Sequence, residues 1–370
     1  GALLALALGL LVGPGAARAE EGDRDCDLPL VAATTESGQV YTARWDAAAG
    51  LFGEVQQVAN LERGTVRGLA LADFTGDGAP DLAVGRPEGD TLRIWLLVND
   101  GCGGLSSRGE VGTAEAAGSH AMDFAAGDFD ADGRADLLVQ GNSNRITLLF
   151  GDGQGGFPRV TVLEHDWSSR GLDAADFDAD GRLDFVRGVY ASGQISVFFG
   201  QGDGTFAAPL ALGSAGSDPY GVVAGDFDAD GHPDVIANQG GSGDSTLFRG
   251  VGDGTFEPGA PLPSVDLDRY STFDALDFDG DGALDIVAVD YDGGSWRLLF
   301  GNGDGTFAPP VLIANLGQAT LGVTAAPGPL AAGGLAAVIL PRHQTVAVGA
   351  EASLDGSSSP GAPTRWQWEP

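Results

Sequence analysis

An acidic segment of nine residues occurs five times in this chain of 370 residues, and it constrains the fold more than any other feature. We number the copies loop 1 (Asp73–Asp81), loop 2 (Asp128–Asp136), loop 3 (Asp176–Asp184), loop 4 (Asp226–Asp234) and loop 5 (Asp277–Asp285). Loops 2 to 5 have aspartate at positions 1, 3, 5 and 9 and glycine at position 6, as in "DFDADGRAD" of loop 2. Carboxylates this close repel one another unless a cation or a proton neutralises them.

The spacing favours one calcium ion per loop, because calcium takes about 6 to 8 oxygen ligands, including a backbone carbonyl at position 7. A solvated acidic turn is a reasonable interpretation of one copy but a poor one of five. Loop 1 has threonine at position 3, so we expect it to bind more weakly. The predicted ligands are Asp73, Thr75, Asp77, Ala79 and Asp81; Asp128, Asp130, Asp132, Arg134 and Asp136; Asp176, Asp178, Asp180, Arg182 and Asp184; Asp226, Asp228, Asp230, His232 and Asp234; and Asp277, Asp279, Asp281, Ala283 and Asp285.

The residues around each loop distinguish it from an EF-hand. An EF-hand needs a glutamate at position 12 and a helix on each side. Position 12 holds Val84, Val139, Arg187, Ala237 and Ala288 in the five copies. Short apolar or β-branched runs such as "DLLV" and "DVIA" follow the loops, which is typical of strands. The sequence therefore predicts calcium loops between strands, with four to five ions in all.

The spacing of the loops predicts the architecture. Position 5 recurs at intervals of 55, 48, 50 and 51 residues, which indicates one supersecondary unit per repeat. Each unit continues into a glycine-rich turn, such as "FGQGDGTF" at Phe199–Phe206, and has room for four strands. "GDGQGG" (Gly151–Gly156) matches a dinucleotide fingerprint by letter, but a strand follows where that motif needs a helix. We predict an all-β protein, a β-propeller of about six four-stranded blades, with seven as the competing count.

The combination of D-x-D-x-D-G-x-x-D loops with "FG-x-G-D-G-T-F" turns resembles the FG-GAP or VCBS-type repeats of bacterial secreted proteins, which are related to the β-propeller of integrin alpha chains. The resemblance covers Asp73 to Phe307 most strongly. It implies a calcium-bearing propeller with the ions in peripheral loops of one face. The phenylalanine at position 2 of each loop alternates away from the ion and is expected to pack between sheets; these residues are Phe74, Phe129, Phe177, Phe227 and Phe278.

The two ends of the chain have different compositions from the repeats. Residues 1–19 contain an apolar run and a small-x-small site, which predicts a partial signal peptide and a secreted protein. We assign 20–326 to the propeller, 327–343 to a linker and 344–370 to the start of a domain that resembles PKD or immunoglobulin-like domains. "EGDRDCDLP", with Glu21, Asp23 and Asp27, is a degenerate loop, and "ATLGVTAA" at 319–326 is expected to close the ring as the strand missing from the first blade. A seventh blade would use "LAAVIL" at 335–340.

Two cysteines, Cys26 and Cys102, fall in loops of neighbouring blades in this layout, and a disulfide or two thiols both fit.

Composition and motifs favour a binding module over an enzyme. The formal net charge of −33 excludes a nucleic-acid surface, which needs a basic patch. The sequence contains neither a zinc-protease H-E-x-x-H nor a G-x-S-x-G elbow. We therefore predict a monomeric, non-enzymatic adhesion or binding propeller in a longer modular protein, with an extracellular protein or glycan ligand and no transmembrane segment. A carbohydrate-binding propeller that uses Trp95, Trp167 or Trp296, and a targeting scaffold for a catalytic domain elsewhere, are the alternatives.

Overall fold

The computed structural model describes residues 29–46, 49–61, 66–101, 104–115, 123–141, 145–164, 169–189, 192–216, 219–239, 244–262, 272–290, 293–317 and 319–326. Within these ranges every regular element is a β-strand. No helix of the described residues is long and apolar enough to cross a membrane. Several features predicted from the sequence lie outside the described residues. They are the expected signal peptide, the degenerate loop at Glu21–Asp27, both cysteines, Trp167, "LAAVIL" and the C-terminal domain.

The described strands form six antiparallel sheets. In chain order they are β1 Leu30–Thr35, β2 Gln39–Asp46, β3 Leu51–Phe52, β4 Gln56–Asn60, β5 Arg67–Ala72, β6 Asp81–Glu88, β7 Thr91–Asn99, β8 Leu105–Glu115, β9 Asp123–Gly127, β10 Asp136–Gln140, β11 Arg145–Phe150, β12 Arg159–Glu164, β13 Ser169–Ala175, β14 Asp184–Val189, β15 Gln194–Phe198, β16 Leu210–Ser214, β17 Pro219–Gly225, β18 Asp234–Gln239, β19 Ser245–Phe248, β20 Ala260–Pro261, β21 Thr272–Leu276, β22 Asp285–Val289, β23 Ser295–Leu299, β24 Val311–Asn315 and β25 Thr320–Ala326.

Each sheet is one blade of a six-bladed propeller. Blades 2 to 6 are β5–β8, β9–β12, β13–β16, β17–β20 and β21–β24, each in sequence order from the innermost strand outward. Blade 1 has the order β25, β1, β2, with β3 and β4 sharing its outermost position. The innermost strands contact one another in the order β5, β9, β13, β17, β21, β25 and back to β5. The prediction of a β-propeller with six blades is confirmed.

The ring is closed by pairing the last described strand with the first. Strand β25 runs antiparallel to β1, with Val323 opposite Ala33 and Ala326 opposite Leu30. Blade 1 is thus built from both ends of the propeller. The predicted role of residues 319–326 as the missing innermost strand is confirmed.

The burial of the strands follows their distance from the axis. Strand β10 ("DLLVQ") is buried at every residue, because neighbouring blades cover both of its faces. The outermost strand β16 ("LALGS") is largely exposed. Six apolar clusters in the described chain fill the six interfaces between blades. Most of the apolar core therefore lies between sheets, which makes each blade dependent on its neighbours.

The aromatic residues occupy these interfaces. The five loop phenylalanines are at most 2% exposed, which confirms that they pack between sheets. Trp296 is fully buried, and Trp95 packs against the cluster between blades 1 and 2. Trp296 therefore belongs to the core and offers no face on which a sugar ring could stack, whereas Trp95 is half-buried.

Aspartates on the innermost strands connect successive blades. The Oδ2 atoms of Asp173 and Asp274, both 2% exposed, accept the backbone N–H groups of Ala224 and Ala325 in the next blade, each at 2.9 Å. The Oδ2 atom of Asp123 accepts the N–H of Leu172 in the same way at 3.1 Å. Between these strands the axis holds a cavity of about 20 Å³, enough for about one water molecule.

We expect Asp173→Ala and Asp274→Ala each to lower the free energy of unfolding by about 1 to 3 kcal/mol, because a buried N–H of the next blade loses its acceptor. Denaturant unfolding monitored by tryptophan fluorescence measures this change. Asp90→Ala, in the exposed hairpin between β6 and β7, is the control and should change stability by less than about 0.5 kcal/mol. Equal effects of the three substitutions would contradict the inter-blade role.

Candidate metal centres

Each acidic loop connects the innermost strand of a blade to the second strand. Loops 1 to 5 lie between β5 and β6, β9 and β10, β13 and β14, β17 and β18, and β21 and β22. The loops therefore occupy equivalent positions in blades 2 to 6. In every loop the inner strand ends just before position 1, and position 9 is the first residue of the second strand.

The aspartate at position 1 organises the turn of each loop. In loop 2, Asp128 Oδ1 accepts the N–H of Asp132 at 3.0 Å, and Asp128 Oδ2 accepts the N–H of Gly133 at 2.8 Å. The same pair of hydrogen bonds occurs at Asp73, Asp176, Asp226 and Asp277. The aspartate at position 5 accepts the N–H of position 7. The loop is therefore shaped by its own carboxylates.

Position 7 was predicted to contribute a backbone carbonyl to each site. In all five loops its N–H group donates to the aspartate at position 5; the residues are Ala79, Arg134, Arg182, His232 and Ala283. Their carbonyl groups as calcium ligands stay a prediction.

The aspartate at position 9 joins the loop to the glycine-rich turn of the same blade. Asp136 is fully buried; its Oδ2 accepts the N–H of Phe129 at 2.9 Å and its Oδ1 accepts the N–H of Gly151 at 2.8 Å. Loops 3, 4 and 5 repeat this arrangement, with Gly200, Gly250 and Gly301 as the donors from the turn. A Cβ on any of these four glycines would lie within 2.2 Å of the carbonyl oxygen of position 8. Glycine is required there because the turn lies against the loop backbone.

Burial raises the pKa of every carboxyl at position 9. It raises the pKa of Asp136, Asp184, Asp234 and Asp285 to about 7, against the lowering effect of the two backbone N–H donors and with a further increase from neighbouring aspartates. Burial also raises the pKa of Asp81 to about 6, while hydrogen bonds from Asn99 and Thr75 lower it. At position 3, burial is the largest cause that raises the pKa of Asp130, Asp178 and Asp279. Burial therefore makes the ionised form of these carboxyl groups unfavourable unless a positive charge lies nearby.

Loops 2 to 5 each bring three of their own carboxylate groups close together. In each of them three ligand atoms lie within 4.8 Å of one another; the groups are Asp128, Asp130 and Asp136, then Asp176, Asp178 and Asp184, then Asp226, Asp228 and Asp230, then Asp277, Asp279 and Asp285. In loops 2, 3 and 4 the Oδ1 atom of position 3 is also buried and accepts no hydrogen bond. A buried carboxylate oxygen without a donor is costly, so each of these three atoms is available to bind a cation.

Loop 1 differs from the other four. Thr75 donates from both its backbone N–H and its hydroxyl group to Asp81 Oδ2, at 3.0 and 2.9 Å. The threonine thus satisfies a carboxylate oxygen that faces the loop in the other copies. Loop 1 is absent from the three-carboxylate groups of the described residues. These contacts agree with the expectation that loop 1 is the weakest site.

The loops also contact the next blade, which the sequence did not predict. The carbonyl oxygen of Phe129 accepts the N–H of Gly204 in blade 4 at 3.0 Å, and the ring of Phe129 packs against Phe206 of the same turn at 6.1 Å. The same pair of contacts joins Phe74 to Gly155 and Phe157, Phe177 to Gly254 and Phe256, and Phe227 to Gly305 and Phe307. Loops 1 to 4 therefore each support the glycine-rich turn of the following blade.

Comparison with protein families gives one match. A family described as FG-GAP-like repeat matches residues 73–139, 128–187, 186–237, 229–288 and 277–328, more than half of the chain. None of the curated proteins with which the sequence was compared matches it.

Comparison with solved structures shows the fold. A lectin of Agrocybe aegerita, studied for specific recognition of non-reducing terminal N-acetylglucosamine, aligns with a TM-score of 0.50 and 16% identity over 83% of this chain and 97% of that chain. AofleA from Arthrobotrys oligospora aligns with a TM-score of 0.46 and 13% identity over 83% of this chain and 92% of that chain. At 16% identity, the alignment with the Agrocybe aegerita lectin shows the fold alone.

We expect glycine to be favoured over alanine at position 4 of the loops. Ala131, Ala179 and Ala229 have φ of 58°, 56° and 58°, where a Cβ costs about 1 to 2 kcal/mol, whereas loop 5 has Gly280 at 78°. Gly280→Ala should therefore destabilise the chain by about 1 kcal/mol, although no atom obstructs the new Cβ. Ala131→Gly should be neutral or stabilising by up to about 1 kcal/mol, because relief of strain opposes added chain entropy. Denaturant midpoints of the two variants measure both effects, and destabilisation by Ala131→Gly would contradict the argument.

We expect the metal-free protein to lose stability as pH rises from about 5 to about 8. The folded-state pKa values of about 7 at position 9 exceed the ordinary value of 3.8, so the folded chain holds protons that the unfolded chain has released. The slope is about 1.4 kcal/mol per pH unit for each proton of difference. Unfolding in excess chelator at several pH values measures it, and Asp136→Asn should reduce the slope while Asp90→Asn should not. A free energy of unfolding that increases with pH in chelator would contradict the prediction.

Proposed function

This chain belongs to the FG-GAP-like repeat family, and we propose that it is a calcium-stabilised β-propeller that acts as a binding module outside the cell. The observation that carries the proposal is the buried Oδ1 atom at position 3 of loops 2, 3 and 4, which has no hydrogen-bond donor and belongs to a group of three carboxylates. In each of these loops, one cation would bind this oxygen together with the two other carboxylates of its group.

The chemistry of the loops fits calcium. The three-carboxylate groups contain only oxygen ligands and no histidine or cysteine, which disfavours zinc and copper. Oxygens on opposite sides of a calcium ion lie up to about 5 Å apart, since each is about 2.3 to 2.6 Å from the metal. The separation of at most 4.8 Å within each group is compatible with that limit. Loops 2 to 5 would hold four ions through positions 1, 3, 5 and 9 and the carbonyl of position 7, and loop 1 a weaker fifth.

Calcium would stabilise the interfaces between blades as well as the loops. A ligand at 100 times its dissociation constant contributes about 2.7 kcal/mol per site, so four independent sites give on the order of 10 kcal/mol. That is comparable to the stability of a whole domain. Extracellular fluid supplies calcium at high concentration, and the net charge of −33 favours uptake of divalent cations. The proposed location outside the cell follows from this dependence and from the apolar leader expected at residues 1–19.

The proposed ligand is an extracellular protein or a glycan. The cavity that the described residues leave at the axis is too small for a sugar or a peptide, so we expect the ligand to bind at loops or on the rim. A glycan ligand is the second candidate, and the lectin of Agrocybe aegerita supports it only through its shared fold. A glycan array probed with the calcium-loaded protein tests the glycan candidate; binding that calcium removal abolishes would support it, and no binding to any glycan would favour a protein ligand.

Removal of calcium should lower the melting temperature of the chain markedly and release four or five ions. The comparison is thermal unfolding in millimolar calcium and in excess chelator, with bound ions counted by native mass spectrometry. Asp178→Asn should remove one ion, because it neutralises position 3 of loop 3, whereas Asp90→Asn should remove none. Loop 1 should release its ion first on titration with chelator. An unchanged melting temperature with no bound metal would overturn the calcium assignment.

A further inference from the structure

Arginine contacts make the four-aspartate loops unequal. In loop 2, Arg159 forms an ion pair with Oδ2 of Asp130. In loop 4, Arg249 Nε lies 2.8 Å from Oδ2 of Asp228. In the part of the chain that the structure describes, the equivalent aspartates of loops 3 and 5, Asp178 and Asp279, form no ion pair with an arginine. The aspartates at position 3 therefore fall into two classes that the loop sequences do not reveal.

The two arginines come from outside the loops. Arg159 begins the outermost strand β12, and the corresponding residue of blade 4 is the exposed Ala208. Arg249 follows β19 at the position where the neighbouring blades have Phe199 and Phe300. Each arginine thus occupies a repeat position at which another blade has an uncharged residue. Those uncharged residues are suitable substitutions for testing the arginines.

Each arginine is held against its aspartate by other contacts. The guanidinium group of Arg159 lies over the ring of Phe150, 3.2 Å from its centre. Arg249 Nη2 donates to the carbonyl oxygen of Asp304 in the turn of blade 6, at 3.4 Å. Both arginines bind Oδ2, while Oδ1 of Asp130 and Asp228 stays buried without a donor. The aspartate thus has one oxygen available to a cation, while the positive charge of the arginine offsets part of the negative charge of its carboxylate.

We propose that Arg159 and Arg249 are internal counter-ions that weaken calcium binding at loops 2 and 4, so that loop 3 fills before loop 2 and loop 5 before loop 4. The proposal rests on the proposed function, since it ranks the same calcium sites. The affinity of a calcium loop follows the number of charges that face the ion. A positive guanidinium group beside a ligand reduces that number by up to one and repels the dication. In the metal-free protein the same arginines offset the repulsion among the aspartates.

Loops 2 and 3 form a matched pair for this comparison. Their sequences, "DFDADGRAD" and "DFDADGRLD", differ only at position 8. Both have an arginine at position 7 that pairs with the aspartate at position 5, through Arg134 and Arg182. The ion pair between Arg159 and Asp130 has no counterpart at Asp178 of loop 3, which Arg182 attracts without forming an ion pair. We expect loop 2 to bind calcium about tenfold more weakly than loop 3.

The experiment is a calcium titration of the full chain labelled with ¹⁵N-glycine. The amides of Gly133 and Gly181 report on loops 2 and 3 separately, because each donates to the aspartate at position 1 of its own loop. The variants are Arg159→Ala, which installs the blade 4 residue, and Ala208→Arg, which installs the blade 3 residue. Arg145→Met is the control, since it removes an arginine that pairs with Glu115 away from the loops.

The expected result is that Arg159→Ala tightens loop 2 about tenfold, that Ala208→Arg weakens loop 3, and that Arg145→Met changes neither. Arg159→Ala should also lower the melting temperature in chelator, and its effect on affinity should shrink at high salt. A residue with a purely structural role would instead lower both stability and affinity. Equal affinities of loops 2 and 3, or a weaker loop 2 in Arg159→Ala, would overturn the inference. Glycine amides that do not respond to calcium in any loop would overturn the proposed function itself, which is a separate outcome.

Discussion

Loops 2 to 5 each end in a buried aspartate whose carboxylate accepts one N–H from its own loop and one from the glycine-rich turn of the same blade. This carboxylate holds the two halves of the repeat together, and it also faces the other aspartates of the loop. Its oxygens are therefore needed for the backbone contacts, while its charge is costly in the absence of a cation because the group is buried. The proposed metal sites and the fold depend on the same atoms, which is why the loops are structural parts of the blade.

The loops connect the blades as well as the strands within them. In loops 1 to 4 the phenylalanine at position 2 packs against the turn of the following blade, and its carbonyl oxygen accepts a glycine N–H from that turn; these residues are Phe74, Phe129, Phe177 and Phe227. A cation bound in one of these loops would therefore also support the surface on which the next blade rests. Toward the axis, Asp173 and Asp274 make comparable links between innermost strands. The ring is thus stabilised by polar contacts at two radii, with the apolar clusters between them.

The repeat pattern was sufficient to predict much of this fold. The period of about 50 residues, the strand after each loop and the buried phenylalanine at position 2 all follow from local alternation and turn chemistry. The closing role of residues 319–326 followed because they resemble the other innermost strands but lack a loop. The partners of the loops were not predictable, because Arg159 lies 29 residues from Asp130 and its contact depends on how blade 3 folds back on itself. Asp173 and Asp274 gave a weak signal, a single carboxylate within an apolar strand, whose acceptor role needs the neighbouring blade.

The pairing of β25 with β1 also determines how the propeller responds to mechanical force. Leu30, at the start of β1, lies opposite Ala326, at the end of β25, so the segments before and after the propeller leave from the same end of one strand pair. Tension between those segments acts across the first hydrogen bonds of the pair and breaks them one after another, instead of loading all of them together. A pull on the two flanks would therefore separate β25 from β1 one hydrogen bond at a time, at low force. The other five blades would carry almost none of the load.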